Sequence, residues 1–182
     1  MDTWFTSDLH LGHENIIRYC KRPFADVREM DNKLIENWNR RVKPGDLVYC
    51  LGDFALKVSQ TDVENYVRRL NGEIHLILGN HDRKSVLKAR GFAEQTYYKE
   101  IKIGDQKIIL FHYAMKTWNG SYRGSWQLFG HSHGNLPPDM ERKQFDVGVD
   151  CWNYAPISFE EVAKEMEKHK SIPVDKSEDE DL

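Results

Sequence analysis

Five short apolar runs recur along the chain, and each one ends in polar side chains. The runs lie in TWFTSDLH from Thr3, DLVYCLGD from Asp46, EIHLILGNHD from Glu73, KIILFHY from Lys107 and SWQLFGHSH from Ser125. Continuous apolar runs of this length are typical of strands that are buried on both faces. We therefore predict five strands, each followed at its carboxyl end by Asp, Asn or His.

Between the early runs and near the end of the chain, apolar residues follow the spacing of amphipathic helices. The three sets are Leu34, Trp38 and Val42 with Ile35 beside them in segment 26–41; Val63, Tyr66, Val67 and Leu70; and Phe159, Val162, Ala163 and Met166. Ser158 and Glu161 have the spacing of a capping box at the start of the third helix. Strands that first alternate with helices and later follow one another predict an α/β layered fold, with one mixed sheet or two packed sheets.

Length and composition favour one domain. The chain has 182 residues, 40% of them hydrophobic and 30% charged, which is enough to bury most of its apolar surface. Because no internal repeat or linker is evident, we predict a single domain over residues 1–172. The last stretch, PVDKSEDEDL at 173–182, has five acidic residues and no core-forming pattern. We predict a solvated acidic tail there, with a specific binding role as the alternative.

Charge and cysteine content exclude several classes of protein. A net charge of −3 does not favour a protein that coats long nucleic acid by charge alone, although a local basic patch stays open. We expect no membrane span and no signal peptide, because no apolar run has the required length or flanks. Three widely spaced cysteines without a CxxC pair do not predict a disulfide framework or a zinc knuckle. We therefore expect a reduced, cytoplasmic protein.

The polar residues after the five predicted strands form a set of metal-ligand type. In α/β folds the carboxyl ends of the strands gather along one edge of the sheet, where ligands bind. Imidazole with carboxylate and amide oxygen, and without thiolate, suits Mn, Fe, Co, Ni or Zn. The set expected at this edge is Asp8, His10, Asp53, Asn80, His81, His112, His131 and His133.

The spacing of these residues predicts how they face the edge. Asp8 and His10 are two residues apart, as are His131 and His133. On an extended chain, residues i and i+2 point to the same side, so each pair is expected to face one site. Glycines that allow a close approach of the backbone precede three of the ligands: Gly52, Gly79 and Gly130.

The number of candidate ligands exceeds what one ion needs. Seven candidates besides His81 are enough for two divalent ions if one carboxylate is shared, and Asp53, alone on its loop, is the natural bridge. Two such ions, two carboxylates and a bridging hydroxide leave positive charge facing the substrate. A centre of this kind attracts an anion and supplies a nucleophile at neutral pH, and phosphoryl transfer fits that chemistry best.

In this order, the motifs DLH, GD, GNHD, H and GHSH resemble the motif set of the calcineurin-like metallophosphoesterases. The resemblance runs from about Met1 to Trp152 and implies a small single-domain member without a cap domain. The fold it implies is a four-layer αββα sandwich of two mixed β-sheets flanked by helices. It further implies a metal-dependent phosphoric ester hydrolase with two divalent ions. Manganese is the first expectation, and iron, nickel, zinc, cobalt or magnesium are the alternatives.

The same resemblance implies a role for each motif residue. One ion is held by Asp8, His10, Asp53 and His133, and the other by Asp53, Asn80, His112 and His131. His81 does not bind metal; it contacts the phosphate and protonates the leaving group. Asp82 is implied as the orienting partner of His81.

Because the chain leaves little room for a cap domain, we expect an open metal edge with two candidate lining segments. In HLGHENIIRYCKRPF, His13 and Arg22 are candidate substrate contacts. A role in supporting the ligands is the alternative for His13, and a helix stop and turn is the alternative for RPF. In YAMKTWNGSYRGSW, Trp118 and Arg123 are candidates for stacking a base and binding a phosphate. The alternative there is that the aromatic side chains pack onto the sandwich.

We therefore predict a dinuclear phosphodiesterase that acts on nucleotide or nucleic-acid-end diesters. A metal-bridging hydroxide would attack phosphorus directly, with His81 as general acid and no covalent enzyme intermediate. The alternatives are a phosphomonoesterase, including a protein phosphatase, and a non-catalytic binding scaffold with this fold. Loss of a ligand or of the catalytic histidine would favour the scaffold. In this sequence all the candidate ligands and His81 are present.

Overall fold

The computed structural model describes residues 1–137 and 139–170 and has nine strands and five helices within them. The strands are β1 (Thr3–Thr6), β2 (Leu47–Cys50), β3 (Glu73–Ile77), β4 (Glu94–Thr96), β5 (Tyr98–Ile103), β6 (Gln106–Phe111), β7 (Trp126–Phe129), β8 (Gln144–Asp146) and β9 (Ile157–Ser158). The helices are α1 (Glu14–Tyr19), α2 (Val27–Arg41), α3 (Gln60–Arg69), α4 (Lys84–Leu87) and α5 (Phe159–Met166). Short 3-10 turns span Ser121–Arg123 and Val149–Cys151.

The strands form two mixed sheets. The first has the order β4-β3-β2-β1-β9, in which β1 to β4 are parallel and β9 is antiparallel to β1. The second has the order β5-β6-β7-β8, in which β5 is antiparallel to β6 and the other pairs are parallel. All five predicted strands are present, as β1, β2, β3, β6 and β7. The four strands that were not predicted are short or, like β5, alternate exposed polar residues with half-buried ones.

The first sheet lies between helices α2 and α3 on one face and the second sheet on the other, and α5 packs in the cluster on the second-sheet side. In β1, Trp4 packs in a cluster with Leu34 and Trp38 of α2, whereas the next residue, Phe5, packs with Ile108 and Leu128 of the second sheet. Successive side chains of a strand point to opposite faces, so both faces of this sheet are buried. The predicted sandwich of two mixed sheets flanked by helices is confirmed.

The ends of the predicted helices follow from their caps. The Asp26 side chain accepts a hydrogen bond from the Glu29 N–H at 2.8 Å and starts α2 where the pattern predicted it. At the start of α5, Ser158 Oγ accepts from the Glu161 N–H at 3.2 Å, and the Glu161 side chain accepts from the Ser158 N–H at 2.8 Å. The predicted capping box is therefore confirmed. Helices α1 and α4, of six and four residues, are too short to show a helical period in the sequence.

Two sequence predictions concern features beyond these elements. The acidic tail predicted for 173–182 lies outside the described residues. In the two described ranges, no helix has the length and apolar content required to cross a membrane.

Candidate metal centre

Two groups of ligand-type side chains lie at the carboxyl ends of four strands. They are Asp8, His10 and His133, and Asp53, His112 and His131. Within each group, one donor atom from each residue lies within 4.8 Å of the others. Their positions in the chain directly follow β1, β2, β6 and β7. The structure thus brings strand-end side chains of both sheets together at one edge.

Asp53 belongs to the second group and also lies close to the first. Its Oδ2 is 3.5 Å from His10 Nε2 of the first group and 3.5 Å from His112 Nε2 of the second. Its Oδ1 accepts a hydrogen bond from the His81 N–H at 2.8 Å. Two donors that share an ion at about 2.1 Å from each lie within about 4.2 Å of one another. The Asp53 carboxylate is therefore close enough to both groups to be shared by two ions.

The GNHD loop adds two further side chains to this edge. Asn80 Oδ1 is 3.1 Å from His112 Nε2, beside the second group. The ring centroid of His81 is 5.4 Å from that of His10, beside the first group. One tight loop therefore presents an amide oxygen and an imidazole to neighbouring parts of the same edge.

Asp82 does not have its predicted role as the orienting partner of His81. Its carboxylate accepts three backbone N–H groups, from Asp53 and Gly79 at 2.8 Å and from Phe54 at 2.9 Å. Among the described residues no hydrogen bond joins it to the ring of His81, so the predicted orienting pair is absent. Because Asp82 is buried, its pKa is raised to about 6 despite these donors. Asp82 instead joins the loop that carries Asp53 to the loop that carries His81.

Left-handed backbone, rather than extended chain, orients the ligands. Nine non-glycine residues in the described ranges have positive φ, and five of them are candidate ligands. These are Asp8 (58°), His10 (53°), Asp53 (53°), His131 (67°) and His133 (48°). The predicted extended backbone at both pairs is therefore wrong. Asp8 and His10 nevertheless belong to one group, as predicted, whereas His131 and His133 belong to different groups. Sparsely populated backbone conformations of this kind cluster at functional sites.

Glycines permit the close packing of these loops. A Cβ on Gly79 would lie 2.7 Å from Asp53 N and 2.8 Å from His112 Cε1. A Cβ on Gly130 would lie 2.5 Å from Asp8 Oδ2 and would also overlap Ser7 Oγ. The predicted close approach of the backbone at these glycines is confirmed.

Burial makes this edge unfavourable for charge. Asp8 is fully buried, and the loss of solvent is the main reason why its pKa is raised to about 7. Burial likewise lowers the pKa of His10 to about 2. Burial also opposes ionisation of Asp53, but the hydrogen bond from His112 and the charge of that ring outweigh burial and lower the pKa of Asp53 to about 2.

The donor atoms fit divalent cations. Within the described residues, the buried atoms Asp8 Oδ1 and His10 Nε2 have no hydrogen-bond partner, and they are 3.9 Å apart. Buried polar atoms without partners destabilise a fold, and a cation would satisfy both of these. Carboxylate and imidazole are also the ligand types that divalent first-row metals accept. The residues present are therefore suited to the divalent ions that the motif resemblance implies.

Arg22 and Asp150 lie directly behind the first group. Arg22 is only 4% exposed, and its guanidinium bonds both carboxylate oxygens of Asp150 at 2.8 Å. Asp150 Oδ2 also lies 2.7 Å from His133 Nδ1. Arg22 was predicted as a substrate contact, but its guanidinium is buried against the protein instead. Asp150 was not predicted, because no local pattern links it to residues 128 positions away.

Trp118 and Arg123, also predicted as substrate contacts, lie away from the metal edge. The Trp118 indole is buried and donates to Ser125 O at 3.2 Å, just before β7 begins. Arg123 lines a surface hollow with Asp105 and Lys107, which stand at the amino end of β6. Since β6 and β7 are parallel, their connection leaves the metal edge and must return to the opposite one. The residues just after β6 therefore remain at the metal edge, whereas the later residues of the connection, including Trp118 and Arg123, do not.

Aromatic side chains lie around the outside of both groups. The ring of His13, a predicted contact, is 5.5 Å from that of His10. Tyr19 is 62% exposed, with its ring 6.4 Å from that of His13. Tyr113 is 38% exposed, with its ring 4.7 Å from that of His131. One exposed tyrosine therefore lies on the side of each group, and neither was predicted because exposure cannot be read from their spacing.

Comparisons with known proteins identify the family of this chain. The family model for calcineurin-like phosphoesterases matches residues 1–157. An uncharacterized protein of Methanocaldococcus jannaschii is 35% identical over 175 residues, which cover 93% of each chain. The Gene 66 protein of Mycobacterium phage L5 is 27% identical, with 83% of this chain and 87% of the phage protein covered.

One solved structure has a similar fold over nearly the whole chain. The crystal structure of a protein of unknown function from Aquifex aeolicus superposes with a TM-score of 0.74 at 26% identity, covering 90% of this chain and 98% of that one. The match of the family model extends over both sheets and all the strand ends that carry candidate ligands. The chain belongs to the calcineurin-like phosphoesterases and is a metal-dependent phosphoric ester hydrolase.

Proposed function

We propose that the protein is a dinuclear phosphodiesterase that hydrolyses nucleotide or nucleic-acid-end diesters. Asp8, His10 and His133 would hold one ion, and Asn80, His112 and His131 the other. The observation that carries this proposal is Asp53 Oδ2 at 3.5 Å from a histidine of each group, the position that a bridging carboxylate requires. Two divalent ions, when bound, supply the positive charge that attracts a phosphate and the nucleophile for an in-line displacement.

His81 is proposed as the general acid. Its backbone is held by the hydrogen bond to Asp53 Oδ1, and its half-buried ring lies beside His10 at the edge of the centre. Histidine can donate a proton near neutral pH, and the leaving oxygen of a phosphate ester needs one. His13, buried next to His10, is proposed to contact the phosphate or to support the neighbouring ligand.

The exposed tyrosines favour a diester over a monoester. Tyr19 and Tyr113 lie on the sides of different groups, so a phosphate at the centre would have an aromatic ring available in two directions. A nucleotide diester carries a group on each side of its phosphorus and can place a base on each ring. Base–aromatic stacking contributes about 1–3 kcal/mol per base.

The first test is a paired assay on metal-stripped protein. Mn²⁺, Ni²⁺, Zn²⁺, Fe²⁺ or Mg²⁺ is added back, and hydrolysis of bis-p-nitrophenyl phosphate is compared with that of p-nitrophenyl phosphate. We expect metal-dependent preference for the diester and a fall in kcat of about 10²- to 10⁴-fold in His81→Ala, with unchanged metal content. His75→Ala is the matched control, because His75 is held on β3 by Glu73 and Glu94.

The outcomes separate the alternatives. Preference for the monoester would refute the diesterase and favour a phosphomonoesterase. Tight metal binding without turnover of either ester, or of a dinucleotide, would favour the scaffold. With a dinucleotide, Tyr19→Ala and Tyr113→Ala should each raise KM about fivefold or more, since a lost stack is worth about 1 kcal/mol or more. Tyr122→Ala, exposed in the 3-10 turn at Ser121–Arg123, should leave KM unchanged.

We also propose that residues 1–172 form one catalytic domain in the cytoplasm. The family match over residues 1–157 supports one domain. The three cysteines are all unpaired thiols, as is usual in a reducing compartment. Alkylation of the denatured protein, purified without reductant, followed by mass spectrometry would test the location in the cytoplasm, because a cytoplasmic protein should carry three free thiols, including the buried Cys50.

A further inference from the structure

Arg22 connects two loops that carry candidate ligands. Its guanidinium donates to the carbonyl oxygen of Asp8 at 2.7 Å and to that of Leu9 at 2.9 Å, in the loop after β1. It also donates to Asp150 Oδ1 from Nε and to Asp150 Oδ2 from Nη2, both at 2.8 Å. The side chain has 4% of its surface exposed, so these bonds are made away from solvent.

Asp150 transmits this connection to the loop after β7. Its Oδ2 is 2.7 Å from His133 Nδ1, and its side chain is 8% exposed. With Nδ1 engaged, the other ring nitrogen faces the first group, where His133 Nε2 is 3.9 Å from Asp8 Oδ1. A metal-binding histidine commonly has a carboxylate on its second nitrogen, which fixes both its tautomer and its orientation.

We infer that Arg22 and Asp150 are positioning residues for one metal site only, the site formed by Asp8, His10 and His133. Arg22 holds the backbone of Asp8, and through Asp150 it sets the ring of His133. The inference rests on the proposed ligand set but not on the identity of the substrate.

Two residues of the second group, His112 and Asp53, are held by contacts that do not involve this pair. His112 Nδ1 is 2.7 Å from the carbonyl oxygen of Leu51, so backbone orients its ring. Asp53 Oδ1 is held by the His81 N–H, and neither contact involves Arg22 or Asp150. Weakening the pair should therefore lower the metal affinity of the first site and leave that of the second site unchanged. A general loss of stability would not distinguish the two sites in this way.

The shape of arginine explains why this position is selective. The planar guanidinium offers a fork that bonds both oxygens of one carboxylate while further N–H groups reach carbonyls. Lysine keeps the charge but has a single ammonium, so Arg22→Lys removes the geometry and preserves the sign. Asp150→Asn removes the charge and places a donor where Arg22 and His133 both need an acceptor.

The test measures Mn²⁺ binding to metal-stripped protein by titration calorimetry, with enzyme activity as a second readout. Arg22→Lys and Asp150→Asn should weaken one of the two Mn²⁺ by about tenfold to a hundredfold and leave the other within about twofold. At saturating Mn²⁺, KM should stay unchanged, because neither side chain reaches the substrate. His10→Ala identifies which affinity belongs to the first site.

Asp46→Asn is the matched structural control. Asp46 is a 4% exposed carboxylate that accepts from Trp4 Nε1, and it precedes β2, at the opposite end of that strand from Asp53. It should lower the melting temperature without changing either Mn²⁺ affinity. Parent-like binding of both ions in Arg22→Lys and Asp150→Asn would overturn the inference and leave the pair structural. Parent-like binding in His10→Ala would overturn the ligand set itself, so the two failures are distinguishable.

Discussion

Replacing Gly79 with alanine should displace the carboxylate that lies close to both ligand groups. The new Cβ would lie 2.7 Å from Asp53 N and 2.8 Å from His112 Cε1, and closer still to Asp53 Oδ1. Real Cβ atoms essentially never approach within 3.0 Å, and contacts below 3.4 Å are already tight. The Asp53 backbone must therefore move by about 0.3–0.7 Å, and a misplacement of about 1 Å costs about a hundredfold in rate.

The expected result is a fall in kcat/KM of about tenfold or more with weaker binding of both Mn²⁺ ions, because Asp53 is shared. The φ of Gly79 is not in the left-handed region, so alanine adds no backbone strain and the effect is steric. The assay combines calorimetric Mn²⁺ titration with hydrolysis of bis-p-nitrophenyl phosphate at saturating metal. Gly45→Ala is the control, since its Cβ would meet nothing within 4 Å.

Two results would refute this reasoning. If Gly79→Ala bound two Mn²⁺ with parent affinity and kept its kcat/KM, the close approach of the two loops would not matter for the centre. If Gly45→Ala lost activity to the same extent, the effect would be a general consequence of replacing glycine. A thermal melt of each metal-stripped variant separates a displaced ligand from an unfolded protein.

Two substitutions and one binding measurement test further assignments. Asp82→Asn replaces an acceptor of backbone N–H groups by a donor and should lower the free energy of unfolding in urea by about 1–3 kcal/mol; an unchanged midpoint would contradict this. Trp118→Phe loses the bond to Ser125 and should cost about 1 kcal/mol of stability with no change in KM, whereas a raised KM would restore the substrate role. At pH 7, Asp8, with a pKa of about 7, is partly protonated in the metal-free protein. His133 is protonated, because its hydrogen bond to a carboxylate outweighs burial and raises its pKa to about 10. Binding of Mn²⁺ should therefore release about one to two protons, measured as a dependence of the binding heat on buffer ionisation enthalpy; no dependence would refute it.

The ligand positions could be predicted because the relevant information is local. A buried run followed by Asp8 or Asp53 marks both the strand and its carboxyl end, and parallel strands bring such ends together. The same rule also explains an error. Trp118 and Arg123 belong to the second half of a connection between parallel strands, which must lie at the opposite edge. If β6 and β7 are taken as parallel neighbours, Trp118 and Arg123 are excluded from the site.

Other features depend on contacts that no local pattern encodes. Arg22 stands in RPF, which indicates a helix stop, and its partner Asp150 is 128 residues away. The left-handed backbone at Asp8 and His10 was likewise missed, because non-glycine residues seldom adopt it and the sequence there resembles ordinary strand. Asp82 was predicted to orient His81 because the two are adjacent in the motif. Its carboxylate instead accepts hydrogen bonds from backbone N–H groups of other residues.

The cost of holding ligands in left-handed backbone explains why so many supporting contacts converge on this edge. Each such residue costs about 1 kcal/mol, so five of them approach the net stability of a small domain. The Asp8 and His10 N–H groups bond carbonyls of Gly52 and Asp53 at 3.0 and 2.9 Å, and Asp82 and Arg22 hold the same loops from behind. These bonds offset the strain, and bound cations would add to them by neutralising buried carboxylate. Weakening one supporting contact should therefore reduce metal affinity before it unfolds the domain, because the hydrophobic clusters on both faces of the first sheet remain intact.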